Sequence, residues 1–80
     1  MEYKEVLQKV LELAREQFGR DGTVLGEEST AAHVPLWNSL SHLLLVTSVE
    51  KAFGVKFDLV QMIHVKSIGD LARATEEKLT

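Results

Sequence analysis

Residues Pro35–His42, which read PLWNSLSH, lie at the boundary between an irregular stretch and a helix. Pro35 disfavours a helical conformation for the residue before it, and Asn38 or Ser39 can accept hydrogen bonds from the free N–H groups of a first helical turn. Gly54 then supplies the kind of residue at which helices often end. The sequence therefore predicts a helix from about residue 38 to residue 53, buried through Leu43, Val46, Val49 and Phe53, with Leu45 beside them.

A first helix is predicted upstream by apolar residues spaced three and four positions apart. These residues are Tyr3, Val6, Leu7, Val10, Leu11, Leu13, Ala14 and Phe18, and Gly19 can end the helix. Residues 20–37 lack this period and contain several turn-forming residues, which predicts a loop of unusual length, typical of a functional or poorly ordered segment. We expect four apolar side chains to hold the loop to the core: Val24, Leu25, Val34 and Leu36.

Two further helices are predicted after Gly54. Asp58 can cap a brief helix that contains Leu59, Val60, Met62 and Ile63. The stretch 67–70, Ser-Ile-Gly-Asp, approximates a capping box and opens a last helix with inward positions at Ile68, Leu71, Ala72 and Leu79. We therefore expect an all-α fold, a small bundle of three main helices plus one short helix with a long loop after the first, in a single domain over residues 1–80.

The composition excludes several function classes. The net charge is −3, and the excess of acids lies in residues 21–40, which contain Asp21, Glu27 and Glu28 but no lysine or arginine. Nucleic acid is not an expected partner, because phosphate binding needs a clustered basic face. The chain has no cysteine, which excludes disulfides and thiolate metal sites. No apolar run is long enough to insert in a membrane and no signal peptide is recognised, so we expect a cytoplasmic protein.

The residues around Ser39 resemble the acyl carrier protein family. The family's Asp-Ser-Leu motif corresponds here to Asn38, Ser39 and Leu40. The resemblance covers nearly the whole chain, because it continues through the helix end at residues 53–55, Phe-Gly-Val, and the helix start at residues 67–71, Ser-Ile-Gly-Asp-Leu. The motif alone is short, and its position in this helical arrangement makes the resemblance specific.

The resemblance implies a carrier protein rather than an enzyme. Ser39 would hold a covalent 4′-phosphopantetheine derived from coenzyme A, with Asn38 and Leu40 at the attachment site. The implied partners are a phosphopantetheinyl transferase and acyl-loading, condensing or acyl-transfer enzymes of fatty-acid, polyketide or other specialised biosynthesis, and the carrier would be a monomer. Trp37 and His42 are most similar to the motif of free-standing carriers from specialised pathways.

The physical chemistry of a helix start agrees with this implication independently of the family. The first N–H groups of a helix have no partners within it, and the peptide dipoles place partial positive charge there. A phosphodiester on Ser39 would therefore occupy a favourable anion site. The serine needs no activation of its own, because a separate transferase would supply the chemistry.

Two departures from the family concern modification and partners. Asn38 replaces the usual aspartate, which is thought to help place the transferase's metal ion, and an amide binds a hard cation less well than a carboxylate. The outward positions of the second helix include Leu44 and Lys51, with Glu50 its only acid, whereas the family usually presents several acids there. We expect partner binding to depend weakly on salt, with Trp37, His42 and Leu44 as candidate contacts.

Other chemistry at these residues is less well supported. Ser39 and His42 could be imagined as a hydrolytic dyad, but the stretch lacks the glycines and the preceding strand of a nucleophile elbow. His33, His42 and His64 lack the paired spacing of metal ligands. Three apolar residues have more ordinary interpretations: Trp37 as a loop anchor, and Met62 and Ile63 as core, with the wall of an acyl cavity as the alternative.

Two alternative functions remain open at this point. The chain could be a helical interaction domain that is never modified, with the same fold. It could also be a peptidyl or aryl carrier with the same chemistry and a different cargo. Those carriers usually show a glycine-rich approach to the serine, which Trp37 and Asn38 do not supply.

Overall fold

A computed structural model describes residues 2–79 as a bundle of helices. The helices are α1 (Tyr3–Phe18), α2 (Ser39–Phe53), α3 (Leu59–His64) and α4 (Ile68–Leu79), and a 3-10 turn over Gly19–Asp21 extends α1. The predicted all-α fold of three main helices and one short one, with a long loop after the first, is confirmed. Within the described range, no helix is long and apolar enough to cross a membrane.

The core lies where α1, α4 and α2 meet. α1 packs most extensively against α4 and also contacts α2. It buries one face, Val6, Val10, Ala14 and Phe18, as its spacing predicts. α4 buries Ile68, Leu71 and Ala72, and the buried Thr75 hydroxyl donates to the Leu71 carbonyl at 2.7 Å. Leu79, predicted to face inward, is partly buried against this core.

Only half of the four apolar residues predicted to hold the long loop are buried. Leu25 and Val34 reach the core, whereas Val24 is 91% exposed and Leu36 is 39% exposed, so the prediction is wrong for the latter two. Backbone hydrogen bonds also attach the loop, because its carbonyls accept from the first amides of α4. The Gly69 amide, for example, donates to the Glu27 carbonyl at 2.8 Å.

A polar cluster clamps the middle of the loop between α1 and α4. The Tyr3 hydroxyl donates to the Glu27 carboxylate, which also pairs with Arg73 at 3.7 Å. The Arg73 guanidinium lies 5.5 Å from the centre of the Tyr3 ring. Burial, and next the hydrogen bond to Glu27, raise the pKa of Tyr3. Gly69 permits this close approach, because a Cβ there would lie 2.8 Å from Glu27 Cγ.

The ends of α2 follow the sequence prediction, but its buried face does not follow it fully. Asn38 is the N-cap, and Gly54 ends the helix with a left-handed φ of 67°. The buried residues are Leu45, Val46 and Val49, with Phe53 partly buried. Leu43 is 48% exposed, so its predicted burial is wrong. The four consecutive apolar residues from Leu43 to Val46 cannot all face one side of a helix, which has 3.6 residues per turn.

Candidate functional site

Ser39 is the first residue of α2, and a capping box around it determines where the helix begins. The Asn38 side-chain oxygen accepts from the Ser41 amide at 3.0 Å. The Ser41 hydroxyl oxygen accepts from the Asn38 amide at 2.8 Å. These reciprocal bonds satisfy backbone groups that a helix start leaves free. The amide at position 38 therefore retains the capping function that an aspartate would have.

The Ser39 hydroxyl is available for reaction. The residue is exposed, and residues 2–79 offer its hydroxyl no hydrogen-bond partner. The cap occupies the amide of Ser41, which leaves the amides of Ser39 and Leu40 to solvent or a ligand. No carboxylate lies in the first turn of α2, so the partial positive charge of the helix start is not neutralised there. This end of α2 can accept an anion covalently attached to Ser39.

Trp37 and His42 form a stacked pair behind Ser39. Trp37 is 5% exposed, and its ring stacks on Phe18 at 5.1 Å and on His42 at 5.9 Å between ring centres. Its indole Nε1–H donates to His42 Nδ1 at 3.0 Å, and His42 Nε2 lies 3.1 Å from the Met62 carbonyl oxygen. Since an indole N–H only donates and a carbonyl only accepts, His42 must carry its proton on Nε2.

This hydrogen bonding explains what Trp37 and His42 do. Both nitrogens of His42 are engaged, so neither can take a proton from Ser39, and the dyad interpretation has no support. His42 contacts the loop and α3. The burial of Trp37 confirms its predicted role as a loop anchor, and its role as a partner contact stays a prediction.

The other two histidines form hydrogen bonds with residues of their own segments. His33 Nδ1 lies 3.2 Å from the Thr30 hydroxyl, and His64 Nδ1 lies 2.8 Å from the Val60 carbonyl. Among the described residues, no group of three or more histidines and carboxylates is placed to hold a metal ion.

An open groove of about 490 Å³ lies between α2 and α3, beside Ser39. It is lined by Ala31, Trp37, Asn38, Ser39, His42, Leu43, Leu59, Met62, Ile63, Val65 and Lys66. We call it the α2–α3 groove. Met62 and Ile63 are part of its wall. Met62 also packs, partly buried, against the core as predicted, whereas Ile63 is 57% exposed and its predicted assignment to the core is wrong. The alternative, that these residues line a cavity for an acyl chain, stays a prediction.

The α2–α3 groove contains residues that the sequence interpretation had not assigned to the site. Leu43 follows Ser39 by four positions and therefore shares its face of the helix. That spacing could have identified it. Leu59 and Lys66 gave no such signal, because they reach the groove through the packing of α3 and the turn after it. Leu40 and Leu44 are 68% and 54% exposed, which resolves whether Leu44 is exposed or covered by the loop.

Comparison with known proteins identifies the family of this architecture. No family model matches the chain, and no curated protein matches it. Among solved structures, it is similar to the solution NMR structure of holo acyl carrier protein from Geobacter metallireducens, with 35% sequence identity and a TM-score of 0.80. The match covers 92% of this chain and 85% of that chain. A bundle with this likeness in both sequence and fold, and with a serine exposed at the start of α2, belongs to the acyl carrier protein family.

Proposed function

We propose that this carrier protein holds acyl intermediates as thioesters on a 4′-phosphopantetheine arm attached to Ser39. It would present them, as a cytoplasmic monomer, to partner enzymes of fatty-acid, polyketide or other specialised biosynthesis. One observation carries the proposal: the Ser39 hydroxyl, at the first residue of α2 and beside an apolar groove, is exposed and has no hydrogen-bond partner among residues 2–79. The similar solved structure is described as a holo acyl carrier protein, which supports the same cofactor here.

The residues at this helix start fit a phosphodiester. The Ser39 hydroxyl would lose its proton to a base of the transferase and bond to the pantetheine-side phosphorus of coenzyme A, as the pyrophosphate bridge breaks and adenosine 3′,5′-bisphosphate leaves. The free amides of Ser39 and Leu40 and the helix dipole would then face the new negative charge. When bound, the arm supplies a terminal thiol that carries the acyl group. The chain has no cysteine, so it offers no competing thiol of its own.

The α2–α3 groove gives the apolar part of a cargo a place beside the attachment point. Leu43, Leu59, Met62 and Ile63 supply apolar walls. Each methylene group that moves from water into such a groove contributes about 0.8 kcal/mol. We propose that the groove shelters an acyl chain between encounters with enzymes, and we expect it to favour apolar cargo over highly polar cargo.

Asn38 is expected to slow the modification. Its side-chain oxygen already accepts from the Ser41 amide, and its other terminal atom is an NH₂ group, which cannot bind a cation. An aspartate could keep the cap and offer a second oxygen to the transferase's metal ion. Asn38→Asp should therefore be modified faster than the wild-type chain, by about tenfold if the extra oxygen contributes a typical charge-assisted contact.

The test is the intact mass before and after incubation with coenzyme A and a broad-specificity phosphopantetheinyl transferase. We expect a gain of one phosphopantetheinyl group in the wild-type chain and in Asn38→Asp, and none in Ser39→Ala. Ser48→Ala is a matched control, because it removes another hydroxyl of α2, one that donates to the Leu44 carbonyl away from the helix start, and should leave the gain intact.

The alternatives give different results in the same measurement. A folded wild-type chain and a folded Asn38→Asp variant that both gain no mass with more than one transferase would contradict the proposal. That result would support an interaction domain that is never modified. A peptidyl or aryl carrier would gain the arm equally, and only a subsequent loading assay with aminoacyl or aryl substrates would separate it from an acyl carrier. We expect no catalysis by the chain itself.

A further inference from the structure

Exposed apolar side chains are concentrated around Ser39. Among the described residues, eight large apolar side chains are exposed, and seven of them lie on the loop end, α2 or α3. We call these seven the apolar collar: Leu36, Leu40, Leu43, Leu44, Leu59, Val60 and Ile63. Single exposed apolar residues are common, but a cluster of this kind indicates an interaction surface. The eighth residue, Val24, is outside the collar.

The collar is also free of charge over most of its length. Residues 36–49 contain no acid and no lysine or arginine, and neither does α3. The nearest charged residues along the chain are Glu50, Asp58 and Lys66 at its borders. A lysine or arginine of a partner placed against this surface would lose its hydration and find no carboxylate there to pair with. The surface therefore fits a partner face that is itself apolar and uncharged.

The collar is continuous with the reactive serine. Leu40 follows Ser39 directly, Leu43 lies one turn further on the same face, and Ile63 borders the groove on the opposite side. An enzyme that acts at Ser39 must therefore cover part of the collar. A second copy of the chain on this surface would hide Ser39 from the transferase. A lipid surface is disfavoured because interfacial helices usually carry lysine and arginine beside their apolar face.

We propose that the apolar collar is the docking surface for the enzymes that act on this carrier, beginning with the transferase, and that their contacting faces are apolar and uncharged. The proposal rests on the proposed modification of Ser39. Binding is driven by burial of the leucine, valine and isoleucine side chains, so charge contributes little to affinity or to the rate of encounter. The family usually presents acids on this helix; this chain presents leucines.

The test measures kcat/KM of a broad-specificity phosphopantetheinyl transferase on the wild-type chain and on Leu44→Gln and Val60→Gln. Both residues lie on the collar without lining the α2–α3 groove. Val24→Gln is the control, because Val24 is an even more exposed apolar residue that lies outside the collar. Circular dichroism and thermal unfolding of each variant check that the fold is kept. The wild-type reaction is repeated between about 50 mM and about 500 mM NaCl, a range over which surface charges become screened.

The expected result is a fall in kcat/KM of about tenfold for each collar variant, as for residues central to an interface, with no change for Val24→Gln. The wild-type value should change less than about twofold with salt. If the wild-type chain is modified but kcat/KM is unaltered in both collar variants, the docking proposal alone is overturned. The same follows if the wild-type kcat/KM falls steeply at high salt. A wild-type chain that is never modified would overturn the proposed function and this proposal with it.

Two further outcomes would identify a different occupant of the collar. Sedimentation equilibrium that shows a dimer, dispersed by Leu44→Gln, would assign the surface to a second copy of the chain. Co-sedimentation of the wild-type chain with phosphatidylcholine–phosphatidylglycerol vesicles, lost in the same variant, would assign it to a lipid surface. Either result overturns the proposal of an enzyme as the occupant.

Discussion

The hydrogen bonds of His42 make a quantitative prediction about stability. Its two nitrogens join Trp37 at the end of the loop to the Met62 carbonyl in α3. The amide that would normally reach that carbonyl within a longer helix, from Lys66, donates to Asp70 instead. His42 therefore caps the C-terminal end of α3 from a distance of 20 residues along the chain.

We predict that His42→Phe destabilises the protein by about 3 kcal/mol, because it removes two hydrogen-bond contributions with central values of about 2 and about 1 kcal/mol. The phenyl ring can still stack on Trp37, but the buried indole N–H loses its acceptor, which costs about 1 to 3 kcal/mol. The part-buried bond to the Met62 carbonyl contributes about a further 0.5 to 1.5 kcal/mol. In a domain of this size the melting temperature should fall by roughly 10 to 20 °C.

The measurement is urea unfolding followed by tryptophan fluorescence and by circular dichroism. Trp37 is the only tryptophan, so its emission reports on the site directly. His42→Gln is the matched control, because its amide offers one acceptor and one donor, and we expect it to cost less than about 1 kcal/mol. If His42→Phe were as stable as the wild-type chain, the reasoning would be refuted and ring packing alone would account for the anchoring of the loop.

Three further predictions concern the backbone and pH. Gly69→Ala should lower the free energy of unfolding by about 1 kcal/mol, because the clash of the new Cβ with the loop costs about 1 to 3 kcal/mol and exceeds the gain in helix propensity. Gly26→Ala is the control: no described atom lies within 4 Å of its added Cβ, so it should change the free energy of unfolding by less than about 0.5 kcal/mol. Gly54→Ala should cost about 1 to 2 kcal/mol in the same assay, because its φ is left-handed, and an equally stable variant would contradict that strain. Hydrogen bonds from the Thr23 hydroxyl and amide hold the pKa of Asp21 below its usual range, so this contribution to stability is complete above about pH 4 and is lost as the pH falls through the lower folded-state pKa. An NMR titration should show that pKa rising in Thr23→Ala, and an unchanged value would show that the hydroxyl is not the cause.

Local signals were sufficient for the helix boundaries and for the position of Ser39. Asn38, Asp58 and the Ser67–Asp70 box cap their helices as predicted, and Gly54 ends α2. These features depend on residues within one turn of each other, because a cap is a hydrogen bond to a neighbouring amide. The sequence by itself therefore placed Ser39 at the start of a helix, after a long loop.

The tertiary structure decided which apolar residues are buried. α2 is apolar on most of its sides, so its period could not tell that Leu45 faces the core while Leu43 and Leu44 do not. α3 has only six residues, too few for their spacing to define a buried face, and its Leu59 and Ile63 are exposed residues that line a groove rather than the core.

The partner of His42 also came only from the tertiary structure. No spacing in the chain connects it to a carbonyl 20 residues away. Caps and turns can be predicted from sequence because they depend on neighbouring residues. The site depends instead on which residues of the short apolar helices are buried and which are exposed, and the packing of all the helices together determines this.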